Sequence, residues 1–132
     1  MAYLDVEAML IAWLPTALPS PAPRVSTDTP ADPSGSRSWL PLVKVNRVGG
    51  PLAQGFDTAR LVIEYLAPDR ATASSLGSAV CALFDGPILS CKNTHGAVIE
   101  AHTDSAPSWV PYDDVNVTRY QSLHTIRVHS MQ

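Results

Sequence analysis

Apolar residues along this chain recur first at helical spacing and later with the period of two that is typical of strands. Over residues 3–14 they fall three and four positions apart, which predicts a short helix. Pro15 lacks an amide donor and is expected to end this helix. Residues 15–41 are rich in proline and predict an extended segment. Within it, residues 24–29 form an expected edge strand and residues 32–37 a flexible turn.

Two strongly alternating segments come next. Residues 40–48 predict a strand that ends at Gly49-Gly50-Pro51, because glycine tolerates positive φ and proline cannot continue a central ladder. Residues 57–66 predict a second strand with polar and apolar residues on alternate faces. Its apolar face consists of Ala59, Leu61, Ile63 and Tyr65.

A helix is predicted after residues 67–69, where Asp69 is placed to cap the free amides. Its apolar stripe at three- and four-residue spacing is formed by Ala73, Leu76, Val80, Leu83 and Phe84. Gly86-Pro87 is expected to close it.

Two more strands are predicted over residues 95–105 and 117–129. One face of the second carries Tyr120, Ser122, His124, Ile126 and Val128. Each predicted element has one face to bury, so the fold class is α+β: a mostly antiparallel or mixed sheet packed against one or two helices. Residues 1–132 suit a single domain.

Composition adds limits on the function. Apolar residues make up 45% of the chain and charged residues 16%, against about 25% charged in typical soluble domains. Much of the surface is therefore neutral, which favours burial against a partner. The net charge of −3 argues against tight nucleic-acid binding. Residues 9–14 are too few and have the wrong flanks for a membrane anchor or signal peptide. Cys81 and Cys91 are accordingly expected to be reduced thiols.

Candidate catalytic and metal-binding groups are sparse. His95 and His102, like His124 and His129, are separated by odd numbers of residues, so each pair lies on opposite faces of a strand and predicts no zinc site. No phosphate-binding, nucleophile or cofactor motif is present. The pattern predicts no enzyme and no cofactor. Asp113-Asp114 is interpreted as a solvated loop tip rather than a cation site.

The loop over residues 109–114 carries two large aromatic side chains, Trp109 and Tyr112, between Pro107 and Pro111. Rings held by prolines are effective contact anchors. The alternative is that one or both rings fold back over the open end of the sheet. The sequence favours neither.

Several segments in a fixed order carry a resemblance to a known family. They are residues 45–51 (VNRVGGP), Asp57, residues 60–65 (RLVIEY), residues 67–70 (APDR) before the helix, and the final hairpin with Trp109 and Arg119-Tyr120. In this order the chain resembles the tail terminator proteins of long-tailed actinobacterial phages. The segment 15–33 is longer than that family leads us to expect.

The resemblance implies a structural virion protein. Such proteins form a ring, generally of six subunits, on the last ring of the tail tube, halt tube polymerisation and present the other face to head-completion proteins. The genome passes through the lumen without specific binding. The implied location is the head–tail neck of the virion, after assembly in the host cytoplasm and with no membrane partner. Low charge and strand edges available for pairing between subunits agree with a ring.

Contacts between subunits or rings are expected at residues 49–56 and 107–116. The candidate interface residues are Gly49, Gly50, Phe56, Asp57, Arg60, Trp109, Tyr112 and Arg119.

Three alternatives stay open. The chain could be another head–tail connector or neck protein, or a small monomeric α+β module that binds a peptide through Trp109 and Tyr112. A small enzyme would need titratable groups in one pocket. The candidates for that role are His102, Asp104 and His124, where His102 and His124 are also interpretable as a hydrogen-bonded pair across neighbouring strands.

Overall fold

The fold is α+β, as the sequence predicts, and the computed structural model describes residues 4–53 and 56–130. The elements in chain order are α1 (Val6–Ala17), β1 (Arg24–Ser26), β2 (Leu42–Gly49), β3 (Leu52–Ala53), β4 (Phe56–Ala67), α2 (Arg70–Phe84), a short 3-10 helix (Pro87–Ser90), β5 (Lys92–Asn93), β6 (Gly96–Val110) and β7 (Thr118–His129). Neither α1 nor α2, the helices of the described residues, has the length and apolarity required to cross a bilayer.

The strands form one mixed sheet in the order β1-β2-β4-β7-β6-β5, with β3 beside the start of β4. β1 and β2 run parallel. The other neighbouring pairs are antiparallel. The long central strands β4 and β7 are aligned from Asp57 opposite Val128 to Ala67 opposite Thr118. This continuous register fixes which side chains share a face.

Both helices pack against one face of the sheet, which we call the helix face. The predicted apolar face of β4 (Ala59, Leu61, Ile63 and Tyr65) is fully buried there. Val80 and Phe84 of α2 and Leu10 and Leu14 of α1 complete this core. Asp69 caps α2 as predicted, since its carboxylate accepts a hydrogen bond from the amide of Thr72 at 2.8 Å.

A second, smaller core lies at one end of the opposite face. It contains Trp39, Leu42, Leu66 and Val117, with Tyr112 packed against it. Residues 27–41 therefore cover part of the side that the helices leave open.

Hydrogen bonds hold residues 32–37 in a defined turn, although the sequence predicted a flexible one. The Asp32 carboxylate accepts from the amide of Arg37 at 2.9 Å and from the indole N–H of Trp39 at 3.2 Å. Arg37 forms an ion pair with Asp114 at 2.7 Å. Asp114 thus connects the loop between β6 and β7 to the turn over residues 32–37. The prediction of a solvated loop tip at Asp113-Asp114 was therefore wrong for Asp114.

The end predicted for the first helix was also wrong. α1 continues through Pro15 to Ala17, and the amide of Leu18 donates to the carbonyl of Leu14 at 3.0 Å. Proline costs only one helical hydrogen bond here because it lies in the last turn. The helix begins at Val6 under an Asp5 cap, and the predicted start at Tyr3 lies outside the described residues.

β6 is five residues longer at its C-terminal end than the predicted strand, which stopped at residue 105. Pro107 and Trp109 consequently lie in a strand and not in a loop. The register of β6 against β7 shifts between Ser105 and Ser108. Pro107 falls within this irregularity, where its missing N–H interrupts no regular ladder.

Candidate assembly surface

The face of the sheet opposite the helices, here called the open face, carries a shallow groove beside its centre. The groove has a volume of about 330 Å³ and is lined by Val48, Arg60, Leu123 and Asp104, among others. Val48 is 60% exposed and Leu123 is 38% exposed. Val48 is displaced outward because the register of β2 against β4 shifts between Arg47 and Gly49. We call this feature the open-face groove.

A second apolar surface lies on the other side of the sheet, where the end of α2 meets β6. Leu89 of the 3-10 helix is 55% exposed and Ile99 of β6 is 46% exposed, around a depression of about 310 Å³ that Phe84 and Asp85 also line. Ile99 is the extra residue at a register shift between Val98 and Glu100. We call Leu89, Ile99 and Asp85 the edge patch.

Most charged side chains near these surfaces have partners inside the chain. Lys44 and Glu64 lie 3.8 Å apart. Arg127 lies 3.3 Å from Glu100. The Asp104 carboxylate accepts from the Thr125 hydroxyl at 2.5 Å.

Two charged residues at these surfaces lack such partners among the described residues: Arg60 beside the open-face groove and Asp85 in the edge patch. Both are exposed, and neither side chain has an ion-pair or hydrogen-bond partner within residues 4–53 and 56–130.

Both ends of the sheet are poorly suited to pair with another strand. β1 has three residues and follows Pro23. At the other end, β5 has two residues and pairs with Gly96 and Ala97 of β6, and β6 itself has three register shifts and contains Pro107. Short length, bulges and proline are devices that discourage edge-to-edge pairing. The expectation that free strand edges join the subunits is therefore not supported, and contacts through side chains are favoured.

The predicted interface residues of the first loop have internal roles. The Asp57 carboxylate is fully buried and binds both terminal nitrogens of Arg47 at 2.6 Å. Gly49 and Gly50 form the predicted turn with φ of 141° and 107°. A Cβ at Gly50 would lie 2.0 Å from the carbonyl oxygen of Thr58, so that position requires glycine.

The two aromatic residues near the second loop behave differently. Tyr112 packs against the small core, and the Arg119 guanidinium lies 5.2 Å from its ring centre. Trp109 is 50% exposed on the helix side of β6, with Arg70 at 5.6 Å from its ring centre. Tyr112 thus folds back over the sheet, while Trp109 is accessible to a partner. Phe56, half-buried, packs under Arg127 at 4.7 Å.

His102 and His124 do not meet, so the paired interpretation of these residues was wrong. His102 lies opposite Thr125 and contacts Glu100 at 2.8 Å on the open face. His124 lies opposite Thr103 on the helix face. Alternation of side chains along a strand separates the two rings. The suggested enzyme site of His102, Asp104 and His124 is not assembled.

His124 belongs to a buried chain of hydrogen bonds. Its ring lies 2.7 Å from the Ser122 hydroxyl and 3.1 Å from the Thr103 hydroxyl, and Ser122 lies 2.7 Å from the Tyr65 hydroxyl. Its Nε2 is also 4.0 Å from the Cys81 sulfur. Burial lowers the pKa of His124 to about 4 and raises the pKa of Cys81. Both groups are neutral near pH 7, which is opposite to an activated thiolate and its imidazolium.

The part of the chain that the structure describes contains no assembled metal-binding site. There, no three His, Cys, Asp or Glu side chains lie close enough together to hold a metal ion. Cys81 and Cys91 are both free thiols. Sequence reasoning missed Leu89, Ile99 and Asp85, because a strand bulge and a short 3-10 turn leave no periodic signal.

No protein-family model and no curated protein sequence matches the chain. The fold does match a solved structure. One chain of a structure described as the virion of a native gene transfer agent particle superposes with a TM-score of 0.51 and 15% sequence identity. The match covers 96% of this chain and 86% of that one. The two proteins share a fold over nearly their whole lengths.

Proposed function

We propose that the chain is a structural virion protein that forms a ring of six subunits on the head-proximal end of a phage tail tube. The observation that carries this proposal is the shared fold with a chain of a virion particle over 96% of the present chain. The ring ends tube polymerisation and joins the tail to head-completion proteins. It acts in the virion neck, after assembly in the host cytoplasm, and it is neither an enzyme nor a membrane protein.

The geometry of the two apolar surfaces supports ring formation. The open-face groove and the edge patch are lined by different residues and lie on different sides of the sheet. A contact between two unlike surfaces is heterologous, and it generates a closed ring when the rotation per subunit closes. The short or bulged strands at the two ends of the sheet disfavour strand pairing, so side-chain packing is the expected means of association.

The proposal is tested by deleting the gene from the phage that encodes it and imaging the particles by electron microscopy. We expect tails of uncontrolled length that are not joined to heads, and restoration by the gene supplied in trans. Tails of normal length beside unattached filled heads would instead assign the chain to another connector or neck position. Normal infectious particles would exclude both roles.

A second prediction concerns Trp109, whose half-exposed ring suits an assembly anchor. Trp109→Ala should leave the monomer folded, with a melting temperature close to that of the unchanged chain, yet give tails of uncontrolled length. Trp39→Ala is the matched control. Trp39 is buried in the small core, so its removal should cost about 3–5 kcal/mol of stability. A large drop in melting temperature for Trp109→Ala would exclude the anchor, and normal tails built from a stable variant would exclude any assembly role for this ring.

A third prediction concerns DNA in the lumen. Six chains with a net charge of −3 each make a negatively charged ring, which should not retain phosphates during genome passage. We expect no measurable binding of duplex DNA at physiological salt in a fluorescence anisotropy titration. Submicromolar affinity with a steep salt dependence would contradict this.

A further inference from the structure

We propose that neighbouring copies of this chain associate by seating the edge patch of one copy in the open-face groove of the next, with Asp85 against Arg60. The proposal rests on the proposed ring and specifies its contact. It also explains why both surfaces are exposed in an isolated subunit.

The apolar parts of the two surfaces are complementary in kind. Leu89 and Ile99 are exposed aliphatic side chains of the edge patch, and Val48 and Leu123 are exposed aliphatic side chains beside the groove of about 330 Å³. Aliphatic side chains that enter such a groove remove apolar surface from water on both copies. Neither surface is covered by another element of the described chain.

The charges select this pairing over others. Arg60 is an exposed cation at the groove, and Asp85 is an exposed anion at the edge patch. Neither has a partner among the described residues. Asp104 also lines the groove and keeps its charge, but its carboxylate accepts a hydrogen bond from the Thr125 hydroxyl, so Arg60 is the charged side chain of the groove without a partner among the described residues. Contact between two open-face grooves would place Arg60 of one copy near Arg60 of the other, which like-charge repulsion disfavours.

The direction of the contact follows from the sheet. Arg60 lies on the open face, and Asp85 lies at the end of α2 on the opposite side. Each copy therefore presents one surface of each kind to two different neighbours. Repetition of this contact produces a chain of subunits that can close into a ring.

The test uses charge reversal and mixing. Arg60→Glu places two anions at every contact, and Asp85→Lys places two cations there. Each variant alone should weaken self-association by about tenfold or more in sedimentation velocity over a concentration series. The double variant Arg60→Glu/Asp85→Lys restores opposite charges and should recover association.

The equimolar mixture of the two single variants gives the sharpest result. Every favourable contact then joins one variant to the other, so association should return with strictly alternating composition. Native mass spectrometry should show equal numbers of both variants in each closed ring. Arg24→Glu and Asp113→Lys are matched controls, since both residues are exposed charges outside the two surfaces, and neither should change association.

Two results would contradict the proposed contact. The first is that the chain without substitutions stays monomeric throughout the concentration series. The second is that the single variants weaken association but association does not return when they are mixed. Neither result would exclude the proposed virion role, because the gene deletion tests that role separately, through the length of the tails and their attachment to heads. Circular dichroism of each variant verifies folding. Asp85→Lys places a cation at the C-terminus of α2, where the helix dipole favours positive charge.

Discussion

Asp57→Ala should lower the free energy of unfolding by about 3–5 kcal/mol, because it leaves the Arg47 guanidinium buried without its counter-ion. In the native chain, Arg47 binds both oxygens of the Asp57 carboxylate at 2.6 Å, and both side chains are shielded from water. The same guanidinium donates to the carbonyl of Gly49 at 3.1 Å. Urea unfolding at pH 7, followed by circular dichroism, measures the change.

The control for this prediction removes both charges together. An Arg47→Met/Asp57→Leu variant has no uncompensated ion and should recover much of the lost stability. Asp113→Ala removes an exposed carboxylate and should change stability by less than about 0.5 kcal/mol. A loss below about 1 kcal/mol for Asp57→Ala would show that the pair contributes little.

This ion pair illustrates what the sequence contains and what it does not. Asp57 is the first residue of the predicted second strand and one of the residues that carry the family resemblance, and it was interpreted as an interface residue. Its partner is ten positions earlier, across the turn at Gly49-Gly50. A turn brings these residues together only when its φ angles and register are known. Sequence alternation gives the faces of a strand but not the contacts around its ends.

The helix-face core was predictable for a simple reason. Residues of β4 and β7 alternate without interruption, and a period of two assigns each to a face. The errors lie where that period breaks. Pro15 was interpreted as the end of a helix and Pro107 as part of a loop, yet a proline in a last helical turn or at a strand irregularity interrupts little.

The candidate assembly surface was only partly predictable. Arg60 and Trp109 were proposed from their positions in the resemblance, and both are exposed. Val48 and Ile99 are exposed because register shifts turn them away from the core. Bulges of this kind depend on how strands pair, and local sequence does not determine pairing. The edge patch could therefore be identified only from the structure.

His124 provides the second large effect, a loss of stability in mild acid. Its ring is buried against Phe84, with 4.0 Å between the ring centres, and its pKa is lowered to about 4 from an ordinary value of 6.5, mainly because burial disfavours the charged form. The nearby Asp104 opposes this shift. Tyr65 and Cys81, which face the same hydrogen-bonded group, are neutral in this range. The ring is therefore neutral in the folded chain near pH 5, while the unfolded chain binds a proton there.

This difference in bound protons decides whether stability rises or falls with pH. The unfolded chain binds more protons between pH 6.5 and pH 4, so the stabilisation is complete above pH 6.5 and is lost as the pH falls towards 4. A shift of this size corresponds to about 3 kcal/mol in total, of which about 2 kcal/mol should be lost by pH 5. Urea unfolding at pH 7, 6 and 5 measures it. His124→Gln should flatten the dependence, whereas His102→Gln, at an exposed site, should preserve it. Equal slopes for His124→Gln and the unchanged chain would show that another group controls the acid sensitivity.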